Sequence, residues 1–310
     1  MEKIAVLDIG TNTALLLVAG LDTQTGELHT IDNRQEIVRL GKGVDEERRI
    51  NREAIDRLVA CLLMYKPVIE KYSATRTIAT ATSALRDAKN RDEVIQTVRD
   101  RTGIQIELLS GKDEADMTFL GAVAGWTNLP EQFLVVDIGG GSTELALGNA
   151  NGILDSQSFD VGGVRLTERF FKHVPPKPEE LEAAKQFLSD LLIPELARFI
   201  EGREAVYAVA GTPTTLAKVV QKLPEFMAER IHGYRLGYDE VHLFLERFQK
   251  SVPEEIVRMG VEPGRADVMT AGMLILHQIM RLLGTPEIIV STQGLRYGVA
   301  LRELRRTMNV

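Results

Sequence analysis

Residues 3–10 read KIAVLDIG and residues 133–140 read FLVVDIGG. Each is an apolar run, then Asp-Ile-Gly, then small hydroxylated residues. The two aspartates, Asp8 and Asp137, stand about one domain length apart. The continuation of the chain after each turn decides the fold. TNTALLLVAG succeeds the first and GGSTELALG the second, and both resume a β-like apolar run. A Rossmann or Walker-type loop would open a helix there instead. Each copy therefore reads as strand, glycine turn, antiparallel strand.

Outward from these copies, strands are expected at 76–80, 104–109, 205–210 and 287–291. Helical periodicity marks 53–70, with Ile55, Leu58, Val59, Leu62 and Leu63 on one face and Pro67 expected to kink or end the helix. Helices are also expected at 179–199, 239–250, 265–282 and 295–305. Alternation of the two element types implies an α/β protein. A division near Gly125–Pro130 gives domains 1–126 and 127–310, with the placement of the last helix open.

The composition suits a globular chain, 44% apolar and 26% charged over 310 residues. One cysteine, Cys61, precludes an internal disulfide, and together with the absence of a leader pattern it predicts a cytoplasmic setting. No segment is expected to reach the roughly 18 apolar residues of a membrane span. A net charge of −7 argues against broad nucleic-acid binding, yet a cleft can still focus cations and backbone amides on an anion.

Glycine turns at strand ends present backbone N–H groups to phosphate oxygens. The hydroxyls of Thr11, Thr13, Ser142 and Thr143 add donors, and glycine is expected to supply positive φ and close approach. Asp137 and Glu144, across the second turn, suit a hard cation. Glu114 alone reads as a helix-start acid, and the turn at Gly211 reads as a helix start whose amides face an anion or merely pack.

Eight signposts run in order: LDIGTNT (7–13), ATSALRDAKN (81–90), LLSGKDEA (108–115), VVDIGGGSTEL (135–145), VAGTPTTLA (209–217), IHG (231–233), GRADVMTAG (264–272) and GLRYGV (294–299). In this order and spacing the chain resembles the Ppx/GppA family of exopolyphosphatases and guanosine pentaphosphate phosphohydrolases, in its short two-domain form. The resemblance implies two ribonuclease-H-like domains of the acetate-kinase/hsp70/actin type around an interdomain cleft. It implies Mg²⁺-dependent hydrolysis of terminal phosphoanhydrides, with Mn²⁺ as an alternative ion. Inorganic polyphosphate and guanosine penta- or tetraphosphate are the implied ligands, with neither nucleic acid nor membrane as partner and a homodimer as one form of assembly.

Matched position by position, the resemblance makes Glu114 the general base and Arg86 a basic residue at the cleft. Asp8, Gly10, Thr11, Asn12 and Thr13 form one phosphate loop, and Gly139, Gly140, Gly141, Ser142 and Thr143 another. Asp137 and Glu144 become the metal-associated acids. Gly211 and Thr212 are candidates for a third anion loop, with His232, Arg265 and Arg296 as cleft candidates, each equally readable as a surface residue or a structural donor. Three positions depart from the family pattern: Leu15 replaces a basic residue, Thr292 an acid, and Ala210-Gly211 a Gly-Gly pair. Two other functions stay open: an actin-like ATP-dependent kinase, and a guanosine tetraphosphate or pentaphosphate-binding regulator with little turnover.

Overall fold

The computed structural model describes residues 2–22 and 27–308. Two compact units emerge, Met1–Thr127 with Gly294–Val310 and Asn128–Gln293. The second unit thus ends at Gln293 rather than at the C-terminus, and the last helix belongs to the first unit.

In the first unit β1 (Glu2–Ile9), β2 (Thr13–Leu21) and β3 (Leu28–Ile37) form an antiparallel meander. β4 (Arg76–Ala81) and β5 (Ile106–Leu108) extend the sheet in parallel from the other side of β1, giving the order β3-β2-β1-β4-β5. Among the described residues, the strands are connected by α1 (Val44–Glu47), α2 (Arg52–Lys71), α3 (Ser83–Asp87), α4 (Arg91–Thr102) and α5 (Gly111–Ala122). The central residues of β1, Ile4 to Leu7, are all apolar and buried because both faces of the sheet are covered. Leu7 and Ile9 pack with Leu58 and Leu62 of α2 and Val94 and Val98 of α4. Ile4 and Val6 pack with Leu295, Val299 and Leu304 of the last helix, Leu295–Met308.

α2 starts where Asn51 accepts a hydrogen bond from the Ala54 N–H at 2.8 Å, an N-cap that satisfies one orphan donor. One expectation for this helix fails, and of the two outcomes expected at Pro67, a kink or an end, the second does not occur. Leu63 is exposed, the buried seam passing instead through Leu62 and Tyr65. Pro67 does not end the helix, which continues to Lys71. Pro67 lies on the exposed side near the C-terminus, where the carbonyl it leaves without a donor faces water.

The second unit repeats the plan. β6 (Phe133–Ile138), β7 (Thr143–Asn149) and β8 (Gly152–Phe159) form the meander. β9 (Ala205–Val209) and β11 (Glu287–Val290) run parallel beyond β6, and β10 (Arg235–Gly237) closes the edge antiparallel to β11. Without β10 the order is β8-β7-β6-β9-β11, the order of the first unit. A shared meander continued by parallel strands in this order is the ribonuclease-H-like arrangement expected of actin-type domains.

The helices here are α6 (Gly163–Phe170), α7 (Pro178–Leu196), α8 (Gly211–Val220), α9 (Ala228–Ile231), α10 (Tyr238–Phe248), α11 (Pro253–Arg258) and α12 (Ala266–Leu283), and Leu295–Met308 is α13. α12 has 18 residues at mean hydropathy 1.2, so by length and composition it could cross a membrane, contrary to the sequence expectation. It is a core helix, with Met269, Met273, Leu276, Ile279 and Met280 packed in the main apolar cluster of the unit.

Candidate active site

In the first unit, Asp8 is the next-to-last residue of β1 and pairs directly with Leu15 on β2. The turn between them closes where the Gly10 N–H donates to Thr13 O at 2.9 Å. Its outer carbonyls are already engaged: Thr11 O accepts from Gly41 N at 2.8 Å, and Asn12 O from Val38 N and Arg39 N. Thr11 Oγ1 lies 2.9 Å from Ser83 Oγ, so one of these buried hydroxyls donates to the other. Asn12 Nδ2 is buried without a hydrogen-bond partner, a donor with capacity for an incoming oxygen.

Parallel pairing of Asp8 with Thr80 brings the segment after β4 beside this turn. There α3 carries Arg86, whose Nη1 donates to Glu114 Oε2 at 2.9 Å and to Leu109 O at 3.2 Å. Glu114 belongs to the first turn of α5, behind the N-cap Ser110, which accepts from Asp113 N at 3.1 Å. It is only 7% exposed, so it is more than a helix-start acid in solvent. Burial pushes its carboxyl above the ordinary range, and the Arg86 guanidinium and a Thr82 hydrogen bond pull it back.

Glycine-mediated packing fixes α5. A Cβ on Gly121 would fall 2.0 Å from Gly294 O, and one on Gly298 would fall 1.7 Å from Met117 O. Only glycines let α5 and α13 approach this closely. α13 also brings Arg296 toward Asp8. Burial raises the Asp8 carboxyl to about 7, Arg296 opposing and Glu114 adding to the shift. Arg296 Nε donates to Asn33 Oδ1 at 3.2 Å. The motif GLRYGV contains Arg296, but its sequence does not distinguish a site residue from a surface one. Asp8, Glu114, Arg86 and Arg296 are thus electrostatically linked within one unit. Leu15, on the same face as Asp8 by register, offers no charge there.

In the second unit, Asp137 on β6 pairs directly with Glu144 on β7, placing both side chains on one face. Glu144 is 2% exposed and accepts from Ser158 Oγ at 2.7 Å. Ser158, from the neighbouring β8, had no sequence signal. The turn 139–142 closes through Gly139 N donating to Ser142 O at 3.0 Å. Gly139 O accepts from Gly163 N, and Gly140 O from Val164 N and Arg165 N, so the start of α6 clamps the turn. A Cβ on Gly162 would fall 2.5 Å from the Gly140 carbonyl carbon.

Two expectations for these turns need correction. Gly10, Gly139, Gly140 and Gly141 are not among the glycines at positive φ, so left-handed backbone does not account for them; a Cβ on Gly10 or Gly139 would press on Thr13 O at 3.2 Å or Ser142 O at 3.1 Å. Thr143 Oγ1 donates to Val161 O at 2.6 Å, and its proton braces the loop after β8 instead of facing a ligand.

The third loop does open a helix, α8, at Gly211. Ala210 before it has φ 70 and ψ −167, a region normally reserved for glycine, and thus stores strain where the family pattern has Gly. The Arg265 guanidinium lies over Gly211, with Nη1 only 1.5 Å from where a Cβ would stand. Arg265 Nε is buried without a hydrogen-bond partner, and Thr212 packs against Gly272 of α12. His232 Nδ1 accepts from Thr292 N at 3.3 Å. Burial lowers the His232 pKa, favouring the neutral ring. His232 and Thr292 thus support each other near the end of β11.

The profile of the Ppx/GppA phosphatase family matches residues 18–307. The chain belongs to this family. Exopolyphosphatase 2 of Mycobacterium tuberculosis is 34% identical over 314 residues, covering 97% of this chain and 98% of that protein. A bifunctional 3-dehydroquinate synthase/phosphatase of Fusobacterium nucleatum is 36% identical over 306 residues; the match takes in 96% of this chain but 46% of that longer protein. Among solved structures, the Ppx/GppA family member of Aquifex aeolicus superposes with TM-score 0.81 at 31% identity, covering 99% of this chain and 98% of its own. An exopolyphosphatase from Cytophaga hutchinsonii gives TM-score 0.90 at 30% identity, with 98% of each chain covered.

Members of such a phosphoryl-transfer family are typically divalent-metal dependent, and the donor set can be tested for fit. Among the described residues no cluster of three or more His, Cys, Asp or Glu side chains forms a protein cage for an ion. Mg²⁺ is commonly held by one or two carboxylates, with phosphate oxygens and water completing the octahedron. The pair Asp137 and Glu144 fits that mode, and Ser158 orients the second carboxylate as an outer-shell partner.

Proposed function

We propose that this Ppx/GppA protein is an exopolyphosphatase, releasing orthophosphate from the end of inorganic polyphosphate, with the 5′-phosphate of guanosine pentaphosphate as a second substrate. The observation that carries the reading is Glu114: a buried carboxyl with an elevated pKa, held by Arg86 at 2.9 Å at the start of a helix fixed by glycine packing. The names of relatives matched nearly end to end support the same substrate class.

In this mechanism Glu114 accepts a proton from water as the water oxygen bonds to the terminal phosphorus. The bridging P–O bond breaks, and the shortened chain leaves with the electron pair. An elevated carboxyl pKa brings the base nearer to working pH, where general-base catalysis is more effective. Arg86 holds the carboxylate in one orientation. In the first unit the turn at 10–13, including the Asn12 amide, supplies donors for non-bridging oxygens; in the second unit the turn at 139–142 offers donors of the same kind. Arg265, a cation over the N-terminus of α8, marks a place where an anion would relieve like-signed charge. Asp137 and Glu144 would hold Mg²⁺, which supplies neutralisation of phosphate charge when bound. The cytoplasm, where these polyanions and Mg²⁺ meet, is the proposed location.

The test is phosphate release measured side by side on polyphosphate, guanosine pentaphosphate and ATP, with Mg²⁺ and with excess chelator. Release from polyphosphate that needs Mg²⁺ is expected. Turnover of ATP alone, with transfer to an added sugar or acid, would replace the reading with a kinase; tight guanosine tetraphosphate binding without turnover would replace it with a regulator.

A further inference from the structure

α10 and α12 of the second unit carry a cluster of two imidazoles and a phenol that the phosphate chemistry leaves unused. Tyr238 and His242 stand one turn apart on α10, and His277 meets them from α12. The Tyr238 hydroxyl lies 2.8 Å from His277 Nε2, and His242 Nδ1 lies 3.2 Å from the same nitrogen. The His277 ring stacks on Tyr238 at a centroid distance of 4.9 Å and meets His242 tilted, at 5.2 Å.

A count of protons shows that hydrogen bonding serves the cluster poorly. His277 Nε2 offers either one lone pair or one proton, yet it faces two polar atoms. If the phenol donates to it, His242 Nδ1 must either compete for that lone pair or oppose it with its own. The other nitrogen of the ring, His277 Nδ1, is buried without a hydrogen-bond partner. A cation accepting one lone pair from each imidazole would remove the conflict.

We propose that His242, His277 and Tyr238 form a surface site for a divalent transition metal of the zinc class, ligated by His242 Nδ1 and His277 Nε2 with the Tyr238 oxygen at a third position. At Zn–N distances of about 2.0–2.1 Å, nitrogens 3.2 Å apart subtend about 100° at the ion, near the tetrahedral angle. His242 is exposed, so an ion can enter from solvent and keep water as a further ligand. Imidazole pairs select Zn²⁺, Ni²⁺ or Cu²⁺ over the oxygen-seeking Mg²⁺. Ligation uses the neutral imidazole, whose lone pair takes the ion. Arg281 and Lys185 repel a cation, which makes the site weak compared with a structural zinc cage. A bound ion would pin α10 to α12 and stabilise the unit by mass action. This inference is independent of the proposed phosphohydrolase chemistry.

Calorimetric titration of Zn²⁺ into the full chain tests it, with saturating Mg²⁺ present to occupy carboxylate sites. One site per chain is expected in the parent, with affinity falling about tenfold or more in His242→Ala and in His277→Gln. His242 is exposed, so its replacement leaves folding intact even if His277→Gln does not fold. Electron paramagnetic resonance with Cu²⁺ as the probe provides a second readout, two coordinated imidazole nitrogens being expected. Undiminished Zn²⁺ affinity in His242→Ala, or a Cu²⁺ spectrum without two imidazoles, would overturn the site.

Discussion

Replacing Asp8 by asparagine should make the first unit less sensitive to rising pH. The Asp8 carboxyl is raised from 3.8 to about 7 in the folded chain, chiefly by burial. Between those pH values the folded state keeps a proton that the unfolded state has released. Stability therefore falls as pH climbs through that window, and the contribution is fully present only below it. A difference of about three pH units at 1.36 kcal/mol per unit gives an upper bound of about 4 kcal/mol. Asp8 keeps some exposure, so solvent screening reduces this to about 2 kcal/mol. Asparagine keeps the shape and carries no titratable proton.

The assay is urea unfolding in chelator without phosphate, at pH 4.5 and pH 8, tracked by a probe in the first unit. The gap between variant and parent should shift by about 2 kcal/mol in favour of Asp8→Asn at the higher pH. Glu114 is raised in the same direction, so the parent curve contains both groups, and the comparison with the variant isolates Asp8. A gap of the same size at both pH values would refute the account of Asp8 as a carboxyl whose charge the fold disfavours.

Two further outcomes rest on the same geometry. Arg86→Ala leaves the Glu114 carboxylate buried without its guanidinium, so urea midpoints should report a loss of about 3 kcal/mol near neutral pH, with a smaller loss in acid where Glu114 is protonated. Gly121→Ala forces a Cβ to within 2.0 Å of Gly294 O unless α5 and α13 separate; thermal melts should show destabilisation of about 1–3 kcal/mol, and phosphate release should slow because α5 carries Glu114.

The twin Asp-Ile-Gly turns were legible in the sequence because a strand–turn–strand hairpin is local, and its register is set by turn length and alternation. The same locality made the Asp137–Glu144 pairing visible. Helices 52–71 and 266–283 announced themselves through periodicity, although Leu63 and Pro67 show that a seam and its end are decided by neighbours. The features that escaped were set by chain-distant contacts. Ser158 reaches Glu144 only because β8 lies beside β7, and Arg296 reaches Asp8 only because α13 returns to the first sheet. Arg86 and Glu114 were each singled out, but their ion pair depends on α3 and α5 meeting at the ends of β4 and β5. The hydroxyl of Thr143 shows the reverse: its residue type suggested a phosphate donor, and packing gave its proton to Val161.

The most direct measurement is single-turnover phosphate release from polyphosphate by Glu114→Gln with Mg²⁺, alongside binding of the same chain. The amide keeps the size of the side chain and an oxygen for Arg86 but cannot take a proton from water. Release should fall by roughly 10²–10⁴-fold with binding retained. Release at the parental rate would contradict the assignment of Glu114 as the base.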